Sequence, residues 1–154
     1  MARGPAARVA ELGWVLPPPP TPKGTYVPVL VSGGFAFVSG QIVFEEGSVV
    51  APGAVDRDVP FDRAKDLARR ATLQALSALT ATLGSLDRIR QVVRVGVFVA
   101  SSPGFVRQHE VANGATDLLV EIFGEAGRPA RTSVGVPSLP LNAPIEVELV
   151  VAVE

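Results

Sequence analysis

Residues 145–153 read Ile-Glu-Val-Glu-Leu-Val-Val-Ala-Val, and no other stretch narrows the choice of fold so far. In a strand, side chains alternate between two faces. Ile145, Val147, Leu149, Val151 and Val153 then share one face, and Glu146, Glu148, Val150 and Ala152 share the other. A sheet with one wet side would stay polar along that side. Val150 and Ala152 break the rule, so both faces are expected to be covered. The run Arg90–Ser101 is apolar on both alternating faces as well, which predicts a central strand. The rest of the chain has helices for only one face. A second copy of the chain is the expected cover for the other, which makes a closed homo-oligomer.

The helices are legible from their period. In residues 60–84, Ala64, Leu67, Ala68, Ala71, Ala75, Leu76, Leu79 and Leu83 recur at steps of three and four, the stripe of a long amphipathic helix. Pro60 suits its start, Asp62 and Asp66 the positive end of its dipole, and Gly84 its stop. Asp66 and Arg70 are spaced as an i,i+4 ion pair. A second helix is predicted over 105–124, with Val111, Ala115, Leu118, Leu119 and Ile122 inward. Gly33-Gly34 joins two β-type runs as a tight turn. Short runs near 42–44 and 49–50 flank a further turn, and 132–136 and 145–153 supply the last strands. The order β-β-(β)-α-β-α-β-β implies an α+β fold, a mixed sheet with two helices packed on one face. The chain divides into an N-terminal extension, residues 1–22, and a domain over 23–154. In the extension, Val9, Leu12 and Trp14 suit a short helical turn. The proline-rich stretch at 17–22 is extended, because proline fixes φ and lacks an N–H. It reads as a rigid lead-in to the first strand in preference to a ligand for a proline-reading domain.

Composition excludes several classes of chemistry. The 154 residues hold no Cys and one His, so a thiolate nucleophile, a disulfide and a multi-histidine metal site within one chain are ruled out. Chemistry without a metal or cofactor is expected. A net charge of −1 gives no field that would gather nucleic acid or an anionic membrane. No stretch reaches the roughly 18 apolar residues of a membrane span, and the N-terminus lacks a signal-peptide core. The expectation is a cytoplasmic protein.

Some residue types carry chemistry at positions where a packing role explains less. Arg131 follows Pro129-Ala130 at the mouth of a strand, where a rigid guanidinium fork can grip a planar carboxylate. Glu146 and Glu148 share a strand face with apolar neighbours. They serve either as ion-pair partners or to orient a water and move a proton. Tyr26 is the only tyrosine, a core aromatic or a hydroxyl at a rim. Asn113 lies early in the second helix, and His109 reads as an exposed helix residue. Ser39-Gly40-Gln41 ends a strand where glycine permits close approach to the backbone. No phosphate loop, nucleophile elbow, zinc motif or dinucleotide fingerprint is present.

Taken in order, "TYVPV", "FVSGQI", "LGSLDRI", "VVRVGVFVAS", "VANGATDLLVEIFG", "PARTSVGV" and "LPLNAPIEVELV" resemble the RidA/YjgF/YER057c family from about Lys23 to the C-terminus. The Pro-Ala-Arg and Ile-Glu-Val-Glu segments are the most specific part. The resemblance implies a chorismate-mutase-like subunit that trimerises through the sheet face opposite its helices, with clefts between subunits. It also implies hydrolysis of reactive 2-enamino and 2-imino acids to 2-keto acids and ammonia, without a cofactor. Carried over, Arg131 would hold the substrate carboxylate and Glu146 would position water. Tyr26, Ser39, Gly40 and Asn113 would complete the site. Ser133 stands where the deaminases carry a cysteine. The alternatives are a non-catalytic homotrimer that binds a small carboxylate or a protein partner, and an endoribonuclease, against which the charge balance counts.

Overall fold

In the computed structural model, which describes residues 3–154, five strands form one mixed sheet. They are β1 (Val29–Ser32), β2 (Phe35–Gln41), β5 (Ile89–Ala100), β6 (Ala130–Val136) and β7 (Ile145–Val153), in the spatial order β1-β2-β7-β5-β6. All neighbouring pairs run antiparallel except β5 and β6, which are parallel. A parallel pair needs a crossover, and helix α3 (Gln108–Phe123) supplies it. A two-stranded ribbon, β3 (Phe44–Glu45) with β4 (Ser48–Val49), stands apart from the sheet.

Helix α2 (Phe61–Leu83) and α3 lie side by side on one face. The stripe of α2 read from the sequence is buried from Ala64 to Leu83, and it packs on Ile145, Val147, Leu149 and Val151 of β7. Gly84 ends α2 in the left-handed region at φ 88°, its N–H donating to Thr80 O at 2.8 Å. The two helices approach closely at Gly114, where a Cβ would stand 2.0 Å from Lys65 O. Helix α3 starts three residues later than its apolar pattern suggests. Gly104 turns the chain at φ 89°, and the Gln108 amide donates to Phe105 O at 2.7 Å. No helix among the described residues is long and apolar enough to cross a membrane.

The expected Asp66–Arg70 pair does not form. Arg69 takes the Asp66 carboxylate, its Nε at 3.1 Å, while its guanidinium lies 4.3 Å from the centre of the Trp14 ring. Arg70 turns toward Glu45 instead, at 3.7 Å. Trp14 belongs to the N-terminal segment, which begins with a third, short helix, α1 (Pro5–Glu11). Val9 is buried there, Arg8 Nε donates to Glu121 O at 3.1 Å, and the Ala6 N–H donates to an Asp87 carboxylate oxygen at 2.9 Å.

The second face of the sheet is open. Leu30 on β1 is registered with Phe37 on β2, and Phe37 with Val150 on β7, so apolar side chains cross three strands. Leu30, Phe35, Phe37 and Val134 are exposed. That is the face the alternation of residues 145–153 marks as needing a cover.

Candidate functional site

The residues singled out by sequence fall into two groups. The first gathers around Glu146. It sits at the start of β7 on the open face, paired with Phe98 across the strand, since Ile145 and Val147 point into the core. Strand β2 carries one extra residue opposite β7 between Val38 and Gln41, a bulge at Ser39-Gly40. Gly40 makes room there: a Cβ would lie 2.1 Å from Glu146 Oε1 and would push that side chain aside. The missing side chain lets the carboxylate lie over the β2 backbone. Burial, and then the like charge of Glu148, push the Glu146 carboxyl above its ordinary value. Glu148 is exposed and lies over Gly96 in the same manner.

The bulge is held from the core side. Gln41 is buried, and its amide donates to Ser39 O at 2.9 Å. The amide of Gln74 on α2 donates to Gln41 Oε1 at 2.9 Å and to Ile42 O at 2.7 Å. Ser39 spends its hydroxyl proton on Val27 O, at 2.7 Å, which fixes the segment carrying Tyr26 against β2. Tyr26 is half exposed. It lines a cleft of about 730 Å³ with Gly40 and Glu146, walled on the far side by Pro17–Pro22.

The second group is built on β6 and α3. Arg131 pairs with Val95, whose side chain is fully buried, so it points to the helix side of the sheet. Its Nη1 donates to Asn113 Oδ1 at 2.7 Å and to Thr116 Oγ1 at 3.2 Å. Asn113 and Thr116 are one helical turn apart, and that i,i+3 spacing is the signal by which Thr116 was findable in the sequence. The Nε–Nη2 edge, the fork that grips a carboxylate bidentately, makes no hydrogen bond among the described residues. Ser133, two residues on, faces the same side and is half-buried. Arg131 opens on a separate hollow of about 480 Å³ between Pro129 and α3.

Arg131 and Glu146 therefore do not meet within one chain. They stand on opposite faces, with β5 between β6 and β7, a gap of roughly 10 Å in strand spacing alone. Tyr26, Gly40 and Glu146 come together, and so do Arg131, Asn113 and Ser133. Ser39 acts behind the first group. His109 is exposed beside Glu110. Among the described residues no cluster of three or more His, Cys, Asp or Glu side chains could hold a metal ion. The proline wall and Gln74 were not singled out as site residues, because only the tertiary fold brings them to Glu146.

Comparison with known proteins bears on the family of the chain. A family model described as "YjgF/chorismate mutase-like, putative endoribonuclease" matches residues 6–153. Protein TCP17 of Trypanosoma cruzi is 41% identical over 147 residues, covering 95% of this chain and 92% of its own. A solved structure from Shewanella oneidensis, described as a "putative endoribonuclease", superposes with a TM-score of 0.93 at 31% identity, covering 98% of this chain and all of that one. A protein of Dermatophagoides farinae named 2-iminobutanoate/2-iminopropanoate deaminase is 28% identical over 138 residues, 88% of this chain and 91% of its own.

Proposed function

The chain belongs to the YjgF/chorismate-mutase-like family, and from that membership we propose that it hydrolyses 2-enamino and 2-imino acids to 2-keto acids and ammonia, in clefts completed between the subunits of a homotrimer. The observation that carries the reading is the division of the site. An anchored guanidinium keeps its carboxylate-gripping edge free, and a shielded carboxylate lies over a glycine on the opposite face. Neither half can act alone. A neighbouring copy on the open face would set one chain's Arg131 against the next chain's Glu146.

The chemistry asks little of the protein beyond orientation. An iminium carbon is already electrophilic, so no strong nucleophile and no metal is needed. Arg131, held by Asn113 and Thr116, grips the substrate carboxylate. Glu146 orients a water and accepts its proton as oxygen bonds to the iminium carbon. The carbinolamine then collapses: Glu146 returns its proton to nitrogen, the C–N bond breaks as the carbinol hydroxyl gives its proton back to the Glu146 carboxylate and becomes the keto oxygen, and the keto acid and ammonia leave. The Glu146 carboxyl, raised by burial, is a better proton acceptor than a solvated one.

The test couples the protein to an amino-acid oxidase that releases 2-imino acids and traps them with semicarbazide. Added protein should lower semicarbazone formation. Unchanged trapping across imines of small, branched and aromatic amino acids overturns the activity. Keto-acid binding without hydrolysis would instead identify a carboxylate-binding trimer.

A further inference from the structure

We infer that the proline strap Pro17–Pro22 is the specificity wall of the Glu146 cleft, and that the substrate side chain it selects is bulky and apolar, aromatic in preference to the short chain of a pyruvate-like acid. The inference rests on the proposed imine hydrolysis for the position of the reacting carbon.

In the single chain, before a neighbouring copy closes it, the cleft is far larger than a three-carbon acid requires. Its volume of about 730 Å³ falls within the range that holds drug-sized ligands, roughly 300–1,000 Å³. Five of the six residues from 17 to 22 are proline. A proline has no N–H, so this wall offers carbonyls and ring methylenes but almost no main-chain donors. It can pack on an apolar group or accept a hydrogen bond, and it has almost nothing to donate to an anionic one. Phe44 and Leu141 add apolar surface to the same cleft. Leu141 is 62% exposed and held at φ 58°, a conformation leucine rarely adopts. Exposure and backbone strain coincide there on an apolar residue at the edge of a site.

The strap is fixed, so its shape is a property of the free protein. The Ser77 hydroxyl on α2 donates to Pro17 O at one end, and Trp14 lies under Arg69 just before it. At the other end the Lys23 ammonium lies 4.5 Å from the centre of the Phe44 ring, which ties the strap to the β3–β4 ribbon. The cations that line the cleft are thus engaged, Lys23 on Phe44 and Arg70 on Glu45, and Glu45 and Glu46 in the same lining disfavour a second acidic group on the ligand, while the strap, Phe44 and Leu141 supply apolar contact.

Calorimetric titration of the intact protein with pyruvate and with 3-phenylpyruvate, beside the imine assay on alanine- and phenylalanine-derived imines, tests the assignment. Phenylpyruvate should bind at least about 10-fold more tightly than pyruvate, in line with the worth of added carbon in an apolar pocket. The ratio should collapse toward unity in Phe44→Ala and in Pro19→Gly/Pro20→Gly. Two variants guard against one that misfolds, and a merely structural loss would weaken both ligands alike and keep the ratio. Equal affinity for the two acids in the wild type, or an unchanged ratio in both folded variants, overturns the inference whatever the assay shows. An intact ratio without hydrolysis of either imine overturns the proposed reaction and leaves the ligand class standing.

Discussion

In the proposed reaction, Arg131 serves through what it leaves unbonded. Asn113 and Thr116 hold it through Nη1 only, so its fork is pre-aimed. Removing one side of a sheltered charge pair costs on the order of 2–5 kcal/mol. Arg131→Ala should therefore lose measurable keto-acid binding by calorimetry. Arg131→Lys should stay much weaker than wild type, because an ammonium keeps the charge and not the planar fork. Both variants should keep their melting temperature, whereas an arginine with a structural role would lower it. Gly40 serves Glu146 more tightly still. In Gly40→Ala the new Cβ meets the flexible end of Glu146 and displaces it, so turnover should fall while the protein stays folded. The pH dependence follows from the same carboxyl. Its folded pKa lies above the ordinary 4.5, by burial first and the Glu148 charge second. A raised folded pKa favours the fold in the neutral form; that contribution is full below the unfolded pKa and is lost as pH rises through the folded one. Ionisation, in turn, arms the group to accept a proton. Hydrolysis should rise with pH through an acid limb above 4.5, and Glu148→Gln should move that limb to lower pH. A limb that stays in place would detach Glu148 from the site.

At the scale of elements, what the sequence disclosed depended on whether a signal was local. The α2 stripe and the alternation of residues 145–153 are periodic; burial follows the alternation residue by residue and takes in the whole stripe, together with Thr72, Leu73, Ser77 and Ala78 beside it. The resemblance placed Arg131 and Glu146 as site residues, but not on opposite faces. That follows from the pairing of Arg131 with Val95 and of Glu146 with Phe98, a register that exists only once β5 joins β6 and β7. Arg70 shows the same limit. Spacing alone offered Asp66, and competition from Arg69, itself stacked on Trp14, turned Arg70 to the ribbon. The close crossing of α2 and α3 was also hidden, since a glycine in a helix reads only as a weak spot. Gly114→Ala sets two terms against each other. Alanine favours a helix over glycine by roughly 0.5–1 kcal/mol. Forcing a methyl into a packed contact costs roughly 1–3 kcal/mol. Here the contact is a backbone carbonyl at 2.0 Å, which cannot rotate away. The cost should win, and a denaturant melt should show Gly114→Ala less stable than wild type; equal stability would mean that the helices slide apart freely.

For the whole molecule, the open sheet face and the divided site make one argument. Leu30, Phe37 and Val150 form a contiguous apolar row that a lone chain would leave in water, and such patches mark interfaces. If that row is the contact between copies, light scattering should give about three times the chain mass of 16.0 kDa. Phe37→Asp would place a charge in the contact, and it should give monomers without imine hydrolysis even though Arg131 and Glu146 are untouched. Subunit mixing then asks whether the two halves meet across chains. Arg131→Ala and Glu146→Gln each inactivate every cleft of a homotrimer. In trimers assembled at random from both, a cleft works when its arginine comes from a Glu146→Gln chain and its glutamate from an Arg131→Ala chain. Cyclic assembly makes that about one cleft in four. Co-refolded mixtures should thus regain about a quarter of wild-type turnover per cleft, while each parent refolded alone regains none. A mixture as inactive as its parents would return both residues to one chain, and the divided cleft would fall with it.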